Sequence, residues 1–156
     1  MRTLLGLVGI LAAVATANVG ARQPSLTVSD AWARATVEGQ TGSGIFLRLR
    51  SSEDAQLVGA SSSAAERVEI HEMRVVNGMM TMRRIERLPL PAEQTVALEH
   101  DYHVMLIGLK RPLQPGRSVV VTLHWLDATG MRRATDVVAP IRALNADAGS
   151  AKGKRE

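Results

Sequence analysis

Residues 67 to 85 read Arg-Val-Glu-Ile-His-Glu-Met-Arg-Val-Val-Asn-Gly-Met-Met-Thr-Met-Arg-Arg-Ile. Asn77-Gly78 decides the reading, because a two-residue type I′ turn needs positive φ at both central positions, and Asn-Gly tolerates that best. The flanks, Arg67–Val75 and Met79–Ile85, are rich in strand-forming residues, so the stretch is a β-hairpin. Side chains alternate between the two faces of a strand, which puts His71 with Met73 and Met80 with Met82. The turn lays the two strands side by side and brings His71 into the neighbourhood of Met82, although the pattern leaves the register open.

The same alternation of short strand-like runs and turn residues extends along the chain. Gly44–Arg50, Gln56–Ala60, Thr95–Leu98, His103–Leu109, Ser118–Trp125 and Met131–Val138 are further strands. Ser51-Ser52, Ser61 to Ser63, Pro89 to Ala92, Arg111 to Gly116 and Ala128 to Gly130 separate them. Such spacing predicts an all-β domain, an antiparallel sandwich or a barrel. The unbroken run Val119–Leu123 predicts a strand buried on both faces. Met79, opposite in parity to Met80 and Met82, is expected in the core, as are Trp32 and Trp125. Gly39 to Gly44 reads as a flexible connection.

Chemistry enters through methionine and histidine. His71, Met82, His103 and Met105 form the pattern H-x10-M-x20-H-x-M in a chain with no cysteine. Thioether is a soft, neutral ligand that favours Cu(I), and imidazole accepts copper in either oxidation state. His103 and Met105, two apart on a strand, share a face. Four donors from two places predict a site at the end of the sandwich. Met73 and Met80 are candidate accessory thioethers, while His100 and His124 read as solvent or structural histidines.

The N-terminus predicts the compartment. Met1-Arg2 is a short positive segment, Leu4 to Val14 is apolar, and small residues follow at Ala15-Thr16-Ala17 and Val19-Gly20-Ala21. This is the pattern of a secretory signal peptide over residues 1–21, cleaved near 17 or 21. With no cysteine after the apolar segment, a lipid anchor is not expected, nor is stable membrane insertion. Residues 22–143 then form one domain, and 144–156 a disordered polar tail. The net charge of +4 comes from scattered arginines, with one Phe and one Tyr in the chain, which argues against nucleic-acid binding.

Enzyme motifs fail. His71-Glu72-Met73-Arg74-Val75 starts like the zinc-protease H-E-x-x-H but ends in Val on a strand, and no nucleophile elbow or phosphate loop is present. Without a cysteine, neither a blue-copper nor a CuA centre can form.

Four segments resemble the periplasmic copper chaperones of the PCu(A)C type: Asp30-Ala31-Trp32-Ala33-Arg34, Val68-Glu69-Ile70-His71-Glu72, Gly78-Met79-Met80-Thr81-Met82-Arg83, and His103-Val104-Met105 running on to Leu113. The resemblance spans about Val28 to Val138. It implies a single-domain antiparallel Greek-key β-sandwich, cupredoxin-like, with His71, Met82, His103 and Met105 holding one Cu(I) per chain. It also implies a periplasmic metallochaperone, not an enzyme. Its partner would be an apo copper acceptor such as cytochrome c oxidase subunit II, with its CuA centre, or another copper chaperone. One departure is that Glu99-His100-Asp101 stands where the family tends to carry Pro-Gly-Gly. Two alternatives remain open on the residues themselves: a copper-sequestering or resistance protein, and a non-metal interaction sandwich.

Overall fold

Ten strands follow one another in the computed structural model, which describes residues 23–143. They are β1 (Leu26–Arg34), β2 (Gly42–Ser51), β3 (Ala55–Ser61), β4 (Ala65–Val76), β5 (Met79–Ile85), β6 (Leu88–Leu90), β7 (Thr95–Leu98), β8 (Tyr102–Leu109), β9 (Ser118–Leu126) and β10 (Arg132–Arg142). The expected signal segment and tail lie outside the described residues. Among the described residues no helix is long and apolar enough to cross a membrane.

One half of the sandwich runs β5-β4-β8-β2-β1, with β7 beside the C-terminal part of β2, and the other runs β10-β9-β3-β6. All pairs are antiparallel except the seam, where β1 and β10 run parallel at Ala33↔Ile141 and Arg34↔Arg142. The expected antiparallel sandwich is thus present, with one parallel joint at this seam. Inward side chains of the two halves form one core: Ile45, Leu47, Leu49, Ile70, Val104 and Leu106 from the first, Leu57, Val121, Leu123, Trp125, Val137 and Ala139 from the second. Burial of apolar surface on this scale is the main stabilising term in a chain that has no disulfides.

Local chemistry accounts for the turns. Asn77 and Gly78 have φ of 52° and 77°, as a type I′ hairpin requires. The β9–β10 hairpin closes on Asp127, whose buried carboxylate accepts hydrogen bonds from the Thr129 amide and hydroxyl, the Met131 amide and the Arg133 guanidinium. Those bonds favour the charged form and hold its pKa at about 2.

Several sequence expectations change. The sequence pattern marks neither β1 nor β6 as a strand. In β6 Pro89 points outward while Leu88 and Leu90 reach the core, an edge position that tolerates proline. β1 contains a bulge between Ser29 and Trp32, with Asp30 at φ 53°. One extra residue reverses the facing of all that follow it. Leu26 and Val28 pack inward before the bulge, and Ala31, Ala33 and Ala35 after it. Trp32 is thereby turned out of the core, whereas Trp125 stays inside.

Val119–Leu123 is buried on one face only. Val120 is exposed and pairs with exposed Val138, so the β-branched run here reflects strand preference on a solvated face. Met79 is exposed as well, because the β4–β5 hairpin projects past the opposing sheet. Its cross-strand partner Val76 is exposed too, and four residues nearer the core the same face carries Glu72, held by Arg74 and Arg83 at 2.8 Å each. Gly42 and Gly44 lie within β2, and only the turn containing Gly39 connects it to β1.

Candidate metal centre

Register places the candidate ligands. His71 on β4 is the direct cross-strand partner of His103 on β8, and Glu69 is the partner of Met105. Across the hairpin Met82 faces Met73, and His71 faces Arg84. Met82 is thus a diagonal neighbour of His71 on the same side, a separation of roughly 7–8 Å between backbones that long side chains can bridge. By strand parity Glu69, His71, Met73, Met82, His103 and Met105 share one face. It is the outer face, since the intervening Ile70, Val104 and Leu106 enter the core. The expected position at the end of the sandwich is therefore corrected. Alternation along β4 and β8 cannot put these residues on the core side without expelling the aliphatic ones.

The two imidazoles meet edge to face with centroids 5.7 Å apart. His103 continues onto Phe46 at 6.3 Å, Phe46 stacks on Trp32 at 4.5 Å, and the Arg142 guanidinium lies 5.0 Å from the Trp32 ring. The ladder crosses five neighbouring strands, β4, β8, β2, β1 and β10, in their order in the sheet. It leaves His103 only 6% exposed although it sits outside the core. Glycines on the same face make room for Met105 and Phe46. Gly44 pairs with Met105, and a Cβ on Gly42 would come within 3.3 Å of the Met105 methyl.

The segment before His103 is a wide excursion. Leu98 pairs with Leu47 and Val104 with Ile45, so the chain between them loops out past a single residue of β2. The Arg48–Glu99 ion pair, at 2.8 Å, anchors one side. The Met73 amide donates to the Asp101 carbonyl at 2.7 Å on the other. Glu99-His100-Asp101 thus closes this turn with charge and backbone bonds.

Met73, Met80, Met82, His100, His103, Met105 and Phe46 line one cleft of about 560 Å³, with Arg34 and Arg74 among its polar walls. Met80 and Met82 are mostly exposed at 68% and 56%. His71 does not line this cleft. Its Nε2 lies 2.9 Å from Glu69 Oε2, and its Nδ1 is buried with no hydrogen-bond partner. His124 is occupied elsewhere, with Ser61.

Burial first, and the charge of His71 second, hold the His103 pKa below the usual histidine value. Glu69 is held below the ordinary carboxylate range, chiefly by its hydrogen bond to His71 and against the effect of burial. The donors fit a soft metal ion. A neutral His103, a buried imidazole nitrogen without a partner and thioethers on the same face supply nitrogen and sulfur but no thiolate. Among the described residues, no group of three or more His, Asp or Glu is placed to hold an ion.

Sequence reasoning missed Glu69, Phe46, Trp32, Gly42 and Gly44. Glu69 was legible, being two residues from His71 and so on its face. Trp32 was not, because a bulge reversed its facing.

A family profile described as "Putative lipoprotein LpqE-like" matches residues 26–137. A protein of Leifsonia xyli subsp. xyli (strain CTCB07) named "Putative lipoprotein Lxx21020" is 33% identical over 143 residues, which cover 89% of this chain and 84% of that protein. Among solved structures, the solution structure of CuI-DR1885 from Deinococcus radiodurans is 32% identical with a TM-score of 0.54, over 72% of this chain and 74% of the other. The copper-bound PCuAC domain from PmoF2 has a TM-score of 0.59 over 76% of this chain and 92% of that domain. At 19% identity, this second likeness is one of fold.

Proposed function

The chain belongs to the LpqE-like family, with the sequence pattern and fold of the PCuAC-type copper chaperones, and from that premise we propose that it binds one Cu(I) and passes it to an acceptor. The observation that carries this reading is the His71–His103 pair, flanked by methionines on one face of the sheet. We assign His71, Met82, His103 and Met105 as the ligands. Export to the periplasm, with cleavage of residues 1–21, is part of the proposal. It rests on the N-terminal sequence and on the lipoprotein names of the relatives.

Transfer follows from unequal exposure. His103 and His71 are the recessed donors, while Met82 stands on the edge strand β5, where an incoming ligand can reach it. Thioether binds weakly enough to be displaced, and thiolates of an acceptor hold Cu(I) more tightly, so exchange runs one donor at a time toward the acceptor. The finer proposal is delivery to the CuA centre of cytochrome c oxidase.

Titration of the mature protein with Cu(I) against a competing chelator tests the binding. One equivalent is expected. His103→Ala should lose more than the roughly 10–100-fold typical of removing a supporting hydrogen bond, and Met73→Ala much less. Equal losses would remove the ligand assignment. Delivery is tested by mixing the loaded protein with a reduced apo CuA domain and following copper through chromatographic separation. Copper is expected in the CuA fraction. Copper that stays behind favours sequestration.

A further inference from the structure

His71 is held by one hydrogen bond and has one nitrogen left over. Glu69 Oε2 lies 2.9 Å from His71 Nε2, with both side chains largely buried. A carboxylate only accepts, so Nε2 must carry the proton. The opposite tautomer would set a bare lone pair against the carboxylate and bury an Nδ1–H with no acceptor, and each of these is costly. In the neutral imidazole the lone pair is therefore on Nδ1, the buried atom that has no partner.

We propose that Glu69 is a positioning residue for the metal site: by accepting the Nε2–H of His71 it fixes the tautomer and presents Nδ1 as the donor to the ion. The inference rests on His71 being a ligand, as assigned above. Glu69 is suited to the role by its place in the sheet. It is the cross-strand partner of Met105, two residues from His71 on the same face, so the backbone sets its distance. Its other oxygen lies 3.9 Å from the Arg67 guanidinium and 4.0 Å from that of Arg84, whose charges add a smaller contribution in favour of the ionised carboxylate. A charged acceptor on the far nitrogen also strengthens the donating one. Nothing in the family pattern of His and Met specifies which ring nitrogen binds. Here a strand neighbour decides it.

Long-range proton–nitrogen NMR correlation on the metal-free protein near neutral pH reads the tautomer directly. His71 is expected to be protonated at Nε2 and bare at Nδ1, and to become a mixture of tautomers in Glu69→Ala. An Nδ1–H tautomer in the wild type would overturn the proposal. Cu(I) affinity should fall about 10–100-fold in Glu69→Ala and less in Glu69→Gln, which keeps an acceptor oxygen without the charge. Wild-type affinity in both Glu69 variants, alongside a large loss in His71→Ala, would overturn the role of Glu69 and leave the copper reading standing. Wild-type affinity in His71→Ala itself would overturn both. Should Glu69→Ala fold poorly, the near-isosteric Glu69→Gln carries the comparison.

Discussion

His103 is packed between the Phe46 ring and the edge of His71. Burial there disfavours its charged form, and a positive neighbour would disfavour it further, so its pKa lies below the usual value of about 6.5. Two consequences share one sign. With His103 a ligand as proposed, protons compete for this nitrogen at lower pH than for an ordinary histidine. For the metal-free protein, the unfolded chain binds more protons than the folded one between the depressed pKa and about 6.5. The contribution of His103 to stability is therefore complete above about pH 6.5 and is lost as pH falls through the folded value. Urea midpoints should be flat from about pH 8 to 7 and decline toward pH 5, with part of that slope missing in His103→Gln. An identical slope in the variant would contradict this. Asp127, with a pKa of about 2, titrates below the window and does not confuse the test.

The β4–β5 hairpin supplies His71 and Met73 from one strand and Met82 from the other, and β5 is a sheet edge with most of its residues exposed. Its geometry depends on its own turn more than on packing. Gly78 stands at φ 77°, where an alanine Cβ costs roughly 1–2 kcal/mol. Gly78→Ala should loosen the outer part of the hairpin. Amide exchange at Met79 to Met82 is expected to quicken, and Cu(I) affinity to drop several-fold through the Met82 arm, while core amides keep their protection. Uniform loss of protection across the core would show that the hairpin is not an independent unit. The turn was legible because Asn-Gly dictates its conformation locally. The bulge in β1 was not, since Asp30 at positive φ and Trp32 facing outward follow from how β1 must pair with β2 on one side and β10 on the other.

On the scale of the whole molecule, the core and the candidate site lie on opposite sides of the same sheet. Aliphatic side chains of β4, β8 and β2 face the other half of the sandwich, and the imidazoles and thioethers face away from it. Stability and metal binding should therefore be separable. Leu123→Ala in β9, fully buried in the opposing half, should cost about 2–5 kcal/mol. Cu(I) affinity measured well below the unfolding temperature should stay within a few-fold of wild type. A large loss of affinity in a protein that is still folded would mean that the two layers are coupled.

Sequence alone determined the strands that alternate cleanly, the hairpin at Asn77-Gly78, the shared faces of His71 with Met73 and of His103 with Met105, and the candidate donor set. All of these depend on period-two geometry or on the conformational preference of a single residue, which neighbours in the chain suffice to express. Tertiary structure decided which face is buried, that His71 and His103 are direct partners, and that Glu69 takes one nitrogen of His71. It also turned Trp32 outward to brace His103 through Phe46. Those facts depend on registers between strands far apart in the chain and on one bulge. Pairing energies summed across the whole sheet select them, and no short stretch of residues encodes them.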